Sequence, residues 1–315
     1  MTEMPLKEVD KAEILIILDN YIDIFLASTE HVKRFPLAPD ALSRETLVAE
    51  HGFAALVSVT RGDTSDSLLF DAGLSKNGLM HNMDVLEVRP NELHTIVLSH
   101  GHVDHTNGLM GMLARLGERR MALLLHPDAF LERKLLFPDG HEMRVPPPNR
   151  GVLSQEGIEF IEERGPSYLL GGLVLVTGQI ERSTPFEQGF PNHYARLEGQ
   201  WRPDPLIHDD QAVVLHVKDK GLVVLTGCGH AGVINTIRHA QRLTGVQKVY
   251  AVIGGFHLTG ALFERIIPQT VAALKQLSPA VIVPAHCTGW KATHALAREL
   301  PEAFVPNCVG TRFLL

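Results

Sequence analysis

One short motif constrains this chain more than any other stretch of its 315 residues. His100, His102, Asp104 and His105 lie within six residues, directly after the apolar run Thr95–Leu98. Alternate side chains of an extended segment point to the same face, so His100, His102 and Asp104 can project together from a strand end. We expect a helix to begin near Asp104 and to turn His105 towards the same cavity. The motif therefore predicts a metal site, with room for two ions if the rest of the chain completes both ligand sets.

The composition is that of a globular protein with an acidic surface. Hydrophobic residues make up 45% and charged residues 21%, and 29 Lys and Arg against 36 Asp and Glu give a net charge of −7. This charge disfavours a surface that coats nucleic acid. The cysteines Cys228, Cys287 and Cys308 predict no disulfide framework, and the apolar run Ile14–Leu18 is too short to span a membrane. We therefore expect a cytoplasmic protein without nucleic-acid or membrane partners.

Apolar runs with strand and helix spacing predict an α/β fold. The predicted strands lie at residues 14–18, 50–59, 67–70, 95–98, 121–125, 167–176, 211–217, 221–225, 249–253 and 280–283. The predicted helices lie at residues 77–89, from about 104 onwards, and at 233–243 and 262–277. Three successive strand ends in the second half present His230, His257 and His286. Because functional groups of layered α/β folds gather at one edge of the sheets, these histidines are candidates to complete the site.

Residues 128–165 interrupt this alternation. They contain the turn-forming stretch Phe137-Pro-Asp-Gly140 and the run Pro146–Pro148, with few periodic apolar positions. Irregular segments over a rigid scaffold tend to shape substrate selection. We predict a single domain over residues 1–315, with an inserted lid-like segment at about 128–165.

The order of the motifs resembles that of the metallo-β-lactamase superfamily. The motifs are Leu-Phe-Asp71-Ala-Gly, Ser-His100-Gly-His102-Val-Asp104-His105, Thr-Gly-Cys228 and Pro-Ala-His286. More narrowly, the chain is similar to the branch named after the archaeal 7,8-dihydropterin-6-methyl-4-(β-D-ribofuranosyl)aminobenzene-5′-phosphate synthase. That similarity rests on Asp19-Asn20, Glu50-His51-Gly52, Thr-Gly-Gln-Ile-Glu-Arg182, Asp209-Asp210-Gln211, Gly-Cys-Gly-His230-Ala-Gly and Gly-Gly-Phe-His257-Leu. The resemblance implies an αββα sandwich of two mixed β-sheets flanked by helices, and a metallohydrolase.

The resemblance also implies how the side chains divide between two ions. One ion would be held by His100 and His102. The other would be held by Asp104, His105 and His286. The first of these ions still needs a ligand from the second half of the chain.

The missing ligand leaves alternatives open. Many superfamily members have a bridging Asp where this chain has Cys228, and a separate histidine before that hairpin. We expect His230 to be the ligand, with His208 as the alternative, while Cys228 can ligate as thiolate, pack as a small residue or support the ligands from behind. Asp71 is expected to hydrogen-bond behind the ligands, with a position inside the metal cavity as the alternative. His257 lies outside the superfamily pattern and is expected either to donate a hydrogen bond to substrate or to bond within its loop.

The predicted chemistry follows from the ions. Two neighbouring metal ions lower the pKa of a shared water towards roughly 7, which makes hydroxide available, and one ion polarises the bond under attack. Asp104 would position that hydroxide as well as bind metal, and His257 could donate a hydrogen bond to substrate. Asp104 and His257 are therefore the predicted catalytic residues. We expect two divalent ions, with zinc favoured and manganese or iron as alternatives. The predicted activity is that of a hydrolase, or a related lyase or transferase.

The predicted substrate is a small anionic or phosphate-bearing molecule. The metal ions create a positive field that Arg182 and Lys291 could extend outward. A lactonase or esterase of the same fold and a metal-binding regulator without turnover are the alternatives. A flavin-partnered di-iron oxidoreductase is disfavoured, because such chains usually carry a carboxylate where this chain has His102. A homodimer is left open.

Overall fold

Two large β-sheets form the centre of the computed structural model, which describes residues 5–36, 45–117 and 119–315. The strands within these ranges are β1 (Glu8–Val9), β2 (Lys11–Leu18), β3 (Val32–Lys33), β4 (Ala54–Arg61), β5 (Thr64–Phe70), β6 (Thr95–Val97), β7 (Met121–Leu125), β8 (Arg133–Leu136), β9 (Glu142–Val145), β10 (Ile158–Glu162), β11 (Ser167–Leu169), β12 (Val174–Val176), β13 (His193–Leu197), β14 (Gln200–Pro203), β15 (Ala212–Val217), β16 (Gly221–Thr226), β17 (Val249–Gly255), β18 (Val281–Ala285) and β19 (Arg312–Leu314). The α-helices are α1 (Gly78–Val85), α2 (Val103–Thr106), α3 (Leu109–Leu116), α4 (Arg150–Gln155), α5 (Val233–Thr244), α6 (Ile267–Leu277) and α7 (Trp290–Glu299).

Both large sheets are mixed. The first has the order β10-β7-β6-β5-β4-β2-β19-β3, and the second has the order β11-β12-β15-β16-β17-β18 with β1 beside β15. In the first sheet β5, β6, β7 and β10 run parallel, whereas β4 is antiparallel to β2 and β5. In the second sheet β16, β17 and β18 run parallel. The parallel strands of each sheet therefore end at a common edge, where loops can display functional groups.

Apolar side chains of the two sheets fill the layer between them. Ile14 and Val57 of the first sheet share one buried cluster with Val213 and Val223 of the second. The outer face of the first sheet packs against α1 and α3, and the outer face of the second packs against α5, α6 and α7. The alternation along β2 matches this arrangement, since neighbouring side chains of a strand face opposite layers. The predicted αββα sandwich is confirmed.

Two hairpins build a third, smaller sheet with the order β14-β13-β8-β9. The hairpin β8–β9 comes from the segment predicted as a lid, and the hairpin β13–β14 comes from residues 193–203. The end of the same segment, β10, instead lies parallel to β7 in the first large sheet. That the segment acts as a lid within a single domain stays a prediction.

Two helices differ in extent from the prediction. The helix predicted at 77–89 ends at Val85, because Glu87 adopts a positive φ of 58° that a right-handed helix does not accommodate. The helix predicted at 262–277 begins at Ile267, where Pro268 fits the first turn because its missing N–H is not needed there. None of the helices in the described ranges combines the length and apolarity needed to cross a membrane.

The strand predicted at 167–176 is instead a hairpin of β11 and β12. Ser167 pairs with Val176 in antiparallel register. The chain reverses through Gly171 and Gly172, whose φ angles are 67° and 91°. Glycine adopts such angles without the steric cost that a side chain brings.

Candidate metal centre

The histidine motif lies between the end of β6 and the start of α2. His102 is still extended, with φ −70° and ψ 147°, and helical geometry begins at Val103. Gly101 is required in this loop, because a Cβ there would lie 2.1 Å from the carbonyl oxygen of Ala129. The predicted change from strand to helix within the motif is confirmed.

Asp104, His105, Cys228 and His286 form a first group of donor atoms, all within 4.8 Å of one another. Nε2 of His286 lies 3.2 Å from Oδ2 of Asp104, and Nε2 of His105 lies 3.7 Å from the same oxygen. Nε2 of His105 is also 3.2 Å from Sγ of Cys228. Two residues of this group come from the motif after β6 and two from the ends of β16 and β18, so both large sheets contribute.

His100, Cys228 and His230 form a second group within the same distance limit of 4.8 Å. Nε2 of His230 lies 3.2 Å from Nε2 of His100. The ring of His102 lies beside this group, with its centroid 4.5 Å from that of His100 and 4.9 Å from that of His230. Its Nε2, however, faces Nε2 of His193 at 3.0 Å. Cys228 is therefore common to both groups, and His102 is adjacent to the second.

Both groups bring together residues that the sequence predicts as ligands. His208, the alternative to His230, belongs to neither group among the described residues. Metal binding by each predicted ligand stays a prediction.

Asp71 holds His105 in a defined orientation. Its Oδ2 accepts a hydrogen bond from Nδ1 of His105 at 2.6 Å. The amide and hydroxyl of Ser99 both donate to the Asp71 carboxylate at 2.7 Å. Because Nδ1 of His105 donates to Asp71, Nε2 is the nitrogen that faces Cys228 and that would bind an ion after losing its proton. Asp71 thus makes the contacts expected of a residue behind the ligands.

Backbone strain accompanies the site. Asp71, His257 and His286 adopt positive φ angles of 61°, 43° and 47°. Residues other than glycine occupy this region at a cost of order 1 kcal/mol or more, and such residues concentrate at functional sites. The surrounding fold therefore holds these three residues in a backbone conformation that they do not favour on their own.

Three imidazoles of the centre, two of them buried and His102 half-buried, are neutral. Burial is the largest cause, and it holds the pKa of His100, His102 and His230 well below the ordinary value. Nδ1 of His230 is buried and has no hydrogen-bond partner among the residues that the structure describes. Neutral imidazole nitrogens, a carboxylate and a thiol are donors for divalent ions such as zinc, iron or manganese, and a core rarely gathers them otherwise. The donor set therefore fits a metal ion.

Asp104, unlike these neutral imidazoles, is charged. Burial alone would raise its pKa, but the charge of His105 and a hydrogen bond from His286 hold the pKa of Asp104 well below its usual range. Burial likewise opposes a charge on His105, yet the Asp71 carboxylate raises the pKa of His105 to about 9. Asp104 is consequently a carboxylate, and its side chain is still 16% exposed.

His257 lies at the edge of the centre. Its ring centroid is 4.2 Å from that of His230 and 4.4 Å from that of Phe263. His230, His257 and Phe263 also line a cavity of about 310 Å³, together with Phe256 and Leu262. A catalytic role for His257 stays a prediction, and its place beside this cavity is compatible with contact to a substrate.

Sequence reasoning missed His193 and Arg133, both of them buried beside the centre. The Arg133 guanidinium bonds both carboxylate oxygens of Asp209 at 3.1 and 2.5 Å. Asp209 in turn accepts a hydrogen bond from the amide of Gly101 at 2.8 Å. The segments that carry His193 and Arg133 show no periodic apolar pattern, so the sequence offered no signal that these side chains are buried.

The two cations predicted to extend the positive field already have partners. Arg182 donates to the carbonyl oxygens of Ile180 and Leu206. Lys291 pairs with Glu264 at 2.6 Å. Arg182 therefore stabilises the loop that carries it, and Lys291, in α7, pairs with the segment that precedes α6.

Comparisons with known proteins cover nearly the whole chain. The family model of the metallo-β-lactamase superfamily matches residues 52–241. A 7,8-dihydropterin-6-methyl-4-(β-D-ribofuranosyl)-aminobenzene-5′-phosphate synthase of Methanocaldococcus jannaschii is 30% identical over 286 residues, which cover 89% of this chain and 95% of that protein. Among solved structures, Tm1679, a metal-dependent hydrolase of the β-lactamase superfamily, aligns with a TM-score of 0.72 at 23% identity over 96% of this chain and 98% of that one. The metallo-β-lactamase fold protein YhfI from Bacillus subtilis aligns with a TM-score of 0.52 at 13% identity, over 97% of this chain and 100% of that one.

Proposed function

The chain belongs to the metallo-β-lactamase superfamily, and from this premise we propose that it is a metal-dependent hydrolase, or a related lyase or transferase, of small molecules. Its fold is that of the metal-dependent hydrolases of this superfamily and implies binding of divalent metal. The observation that carries the proposal is the meeting of Asp104, His105, Cys228 and His286 within 4.8 Å.

We assign the donors to two ions. The proposed ligands are Asp104, His105 and His286 for one ion, and His100, His102 and His230 for the other. Cys228 lies within 4.8 Å of donors in both groups, although burial raises the pKa of its thiol in the metal-free protein. When bound, the ions supply an activated water at neutral pH and polarise the bond under attack, and zinc suits this donor set best.

Asp104 is the residue that we propose to orient the attacking water. It is ionised and its side chain is still 16% exposed, so it keeps contact with solvent. His51 lies beside it, with Nε2 3.8 Å from Oδ2 of Asp104 and a side chain that is 64% exposed. His100 and His105 are buried.

We propose a small anionic substrate that bears a phosphate or carboxylate. The relative from Methanocaldococcus jannaschii is named for a 5′-phosphate product, and the cavity of about 310 Å³ beside His230 suits a small molecule. Arg265 lines this cavity and has no ion-pair partner among the described residues, which makes it the better candidate than Arg182 to bind an anion. A cytoplasmic location, a homodimer and the lack of nucleic-acid or membrane partners stay predictions.

Metal analysis and a substrate screen test the proposal together. Protein purified without chelator should hold about two ions per chain, and His286→Ala should lose turnover by orders of magnitude while keeping the fold. His141→Ala, at an exposed histidine stacked on Phe137, is the matched control and should change neither quantity. Fewer than one ion per folded chain, after zinc, manganese and iron have each been offered, would exclude a metal-dependent enzyme.

The screen compares phosphoesters, cyclic nucleotides, lactones and neutral esters. Best turnover of anionic substrates supports the proposal. Best turnover of neutral esters or lactones would replace it with a lactonase or esterase. Two bound ions without turnover of any class would favour a regulator.

A further inference from the structure

A line of hydrogen-bonding groups runs from the small sheet into the metal centre. Nε2 of His102 lies 3.0 Å from Nε2 of His193, and Nδ1 of His193 lies 3.1 Å from the carbonyl oxygen of Asp204. His193 is completely buried. Nδ1 of His193 also lies 3.5 Å from Oδ2 of Asp204. The groups that face the two nitrogens of this buried ring are therefore the His102 ring on one side and the carbonyl and carboxylate oxygens of Asp204 on the other.

The acceptor oxygens of Asp204 determine which nitrogen of each ring carries a proton. The carbonyl oxygen and the carboxylate of Asp204 only accept hydrogen bonds, so Nδ1 of His193 is the nitrogen that carries a proton. A neutral ring protonated at Nδ1 has its lone pair at Nε2, which faces His102. His102 must then donate from Nε2, and its own lone pair is left on Nδ1.

We propose that His193 is a positioning residue that fixes the tautomer of His102, so that His102 offers Nδ1, and not Nε2, to a metal ion. This inference rests on the proposed function, because it takes His102 to be a ligand. Residues that orient a ligating histidine through its second nitrogen typically change metal affinity 10- to 100-fold when they are removed.

A separation of 3.0 Å would also suit two nitrogens bound to a single ion. An ion between them would need further protein ligands. Within the described ranges, no group of three mutually close donors contains His193, whereas the His102 ring lies beside the group of His100 and His230. A hydrogen bond between the two rings therefore explains the pair better than a shared ion does.

The small sheet gives His193 a rigid base. His193 opens β13 and pairs with Leu135 of β8. Nε of Arg133, which begins β8, bonds Oδ2 of Asp204 at 3.3 Å, and its guanidinium binds Asp209. The small sheet thereby connects to the metal centre through a defined hydrogen bond as well as through packing.

Two variants and one spectrum test this role. His193→Leu removes the acceptor and keeps an apolar side chain, whereas His193→Gln restores an acceptor oxygen near the position of Nε2. His126→Leu, at another buried histidine outside both donor groups, is the matched control. Zinc affinity is measured by chelator competition, and two-bond ¹H–¹⁵N spectra of histidine-labelled, metal-free wild type report which nitrogen of His102 is protonated.

We expect the Nε2 proton on His102 in the wild type, weakening of one zinc ion about 10- to 100-fold in His193→Leu, and recovery to within a few-fold in His193→Gln. His126→Leu should bind zinc as the wild type does. A proton on Nδ1 of His102, or wild-type affinity in His193→Leu, overturns the inference. Loss of one ion in both His193 variants also overturns it, because His193 would then be a ligand itself. If the wild type binds no zinc but shows the Nε2 proton, the proposed function fails and the tautomer role is supported.

Discussion

At the scale of single residues, Cys228 has the position that couples the two donor groups. Its Sγ lies 3.2 Å from Nε2 of His105 and within 4.8 Å of His100 and His230. His230, by contrast, belongs to the second group only. The two residues should therefore respond differently to substitution.

Replacing these two residues separates their roles. His230→Ala should weaken one ion about 10- to 100-fold or remove it and leave the other in place. If the Cys228 thiolate joins the two ligand sets, Cys228→Ser should weaken both ions, and Cys228→Asp, which keeps an anionic donor, should restore part of the affinity. Metal titration with elemental analysis measures each stoichiometry. Wild-type binding of both ions by Cys228→Ser would show that the thiol only packs at this position.

Arg182 already donates hydrogen bonds to backbone carbonyl oxygens, whereas Arg265 has no ion-pair partner among the described residues. Arg265→Ala should raise KM for anionic substrates about 10-fold and leave kcat and neutral substrates unchanged, because a charge-assisted hydrogen bond is worth about 1.5–3 kcal/mol. Arg182→Ala should mainly lower stability, since its guanidinium bonds carbonyl oxygens. Steady-state kinetics with both substrate classes test this. Equal KM values for wild type and Arg265→Ala on every anion would contradict anion binding by Arg265.

At the scale of elements, the helix α5 is fixed next to the site by a carboxylate from another loop. Oε1 and Oε2 of Glu187 accept hydrogen bonds from the amides of Ile234 and Asn235 at 2.9 and 2.8 Å. These amides belong to the first turn of α5, where a negative charge also meets the positive end of the helix dipole. Gly232 is needed there, since its φ is 91° and a Cβ would lie 2.2 Å from the Glu187 carboxyl carbon. His230 lies two residues before this turn, so the cap also holds a predicted ligand.

Loss of this cap should cost measurable stability. Glu187→Gln replaces one accepting oxygen with an NH₂ group that faces a backbone donor, and we expect the free energy of unfolding to fall by about 1–3 kcal/mol. Glu159→Gln, which breaks only an exposed ion pair with Arg120, should change it by less than about 1 kcal/mol. Urea unfolding of both variants measures the difference. An equal fall in the free energy of unfolding in both variants would mean that the buried Glu187 cap stabilises the protein no more than an exposed ion pair does.

The strands and helices also show how much of the fold could be predicted from the sequence. Strands such as β2, β7 and β15 have local apolar patterns, and the strand-to-helix change at His102 follows from spacing alone. The small sheet could not be predicted, because Leu135 pairs with His193 across 58 residues and neither hairpin carries a signal for its partner. His193 was missed for the same reason, although the histidine motif itself can be recognised from its local spacing. Local periodicity thus gives the elements, and long-range pairing decides which side chains lie behind the ligands.

At the scale of the whole molecule, the metal centre joins the two large sheets. Asp104 and His105 follow the first sheet, whereas Cys228 and His286 follow strands of the second. Asp19, at the end of β2, accepts a hydrogen bond from the amide of His286 at 2.8 Å, which fixes one sheet to the other beside the site. Ligands from both sheets can bind one ion only when the sandwich is assembled, so metal binding and folding should be linked.

Metal should therefore stabilise the folded protein as a whole. An ion that binds only the native state adds about 2.7 kcal/mol to the free energy of unfolding when its free concentration is 100 times its Kd. We expect the zinc-loaded protein to melt several degrees above the chelated protein, and His286→Ala to lose most of this increment. His141→Ala should keep all of it, because this exposed histidine belongs to neither donor group. Thermal unfolding with and without chelator measures the increment, and elemental analysis confirms loading. Identical melting temperatures for loaded and chelated wild type would mean that the ions bind the unfolded chain as well as the native one, so that binding does not require the two sheets to be assembled.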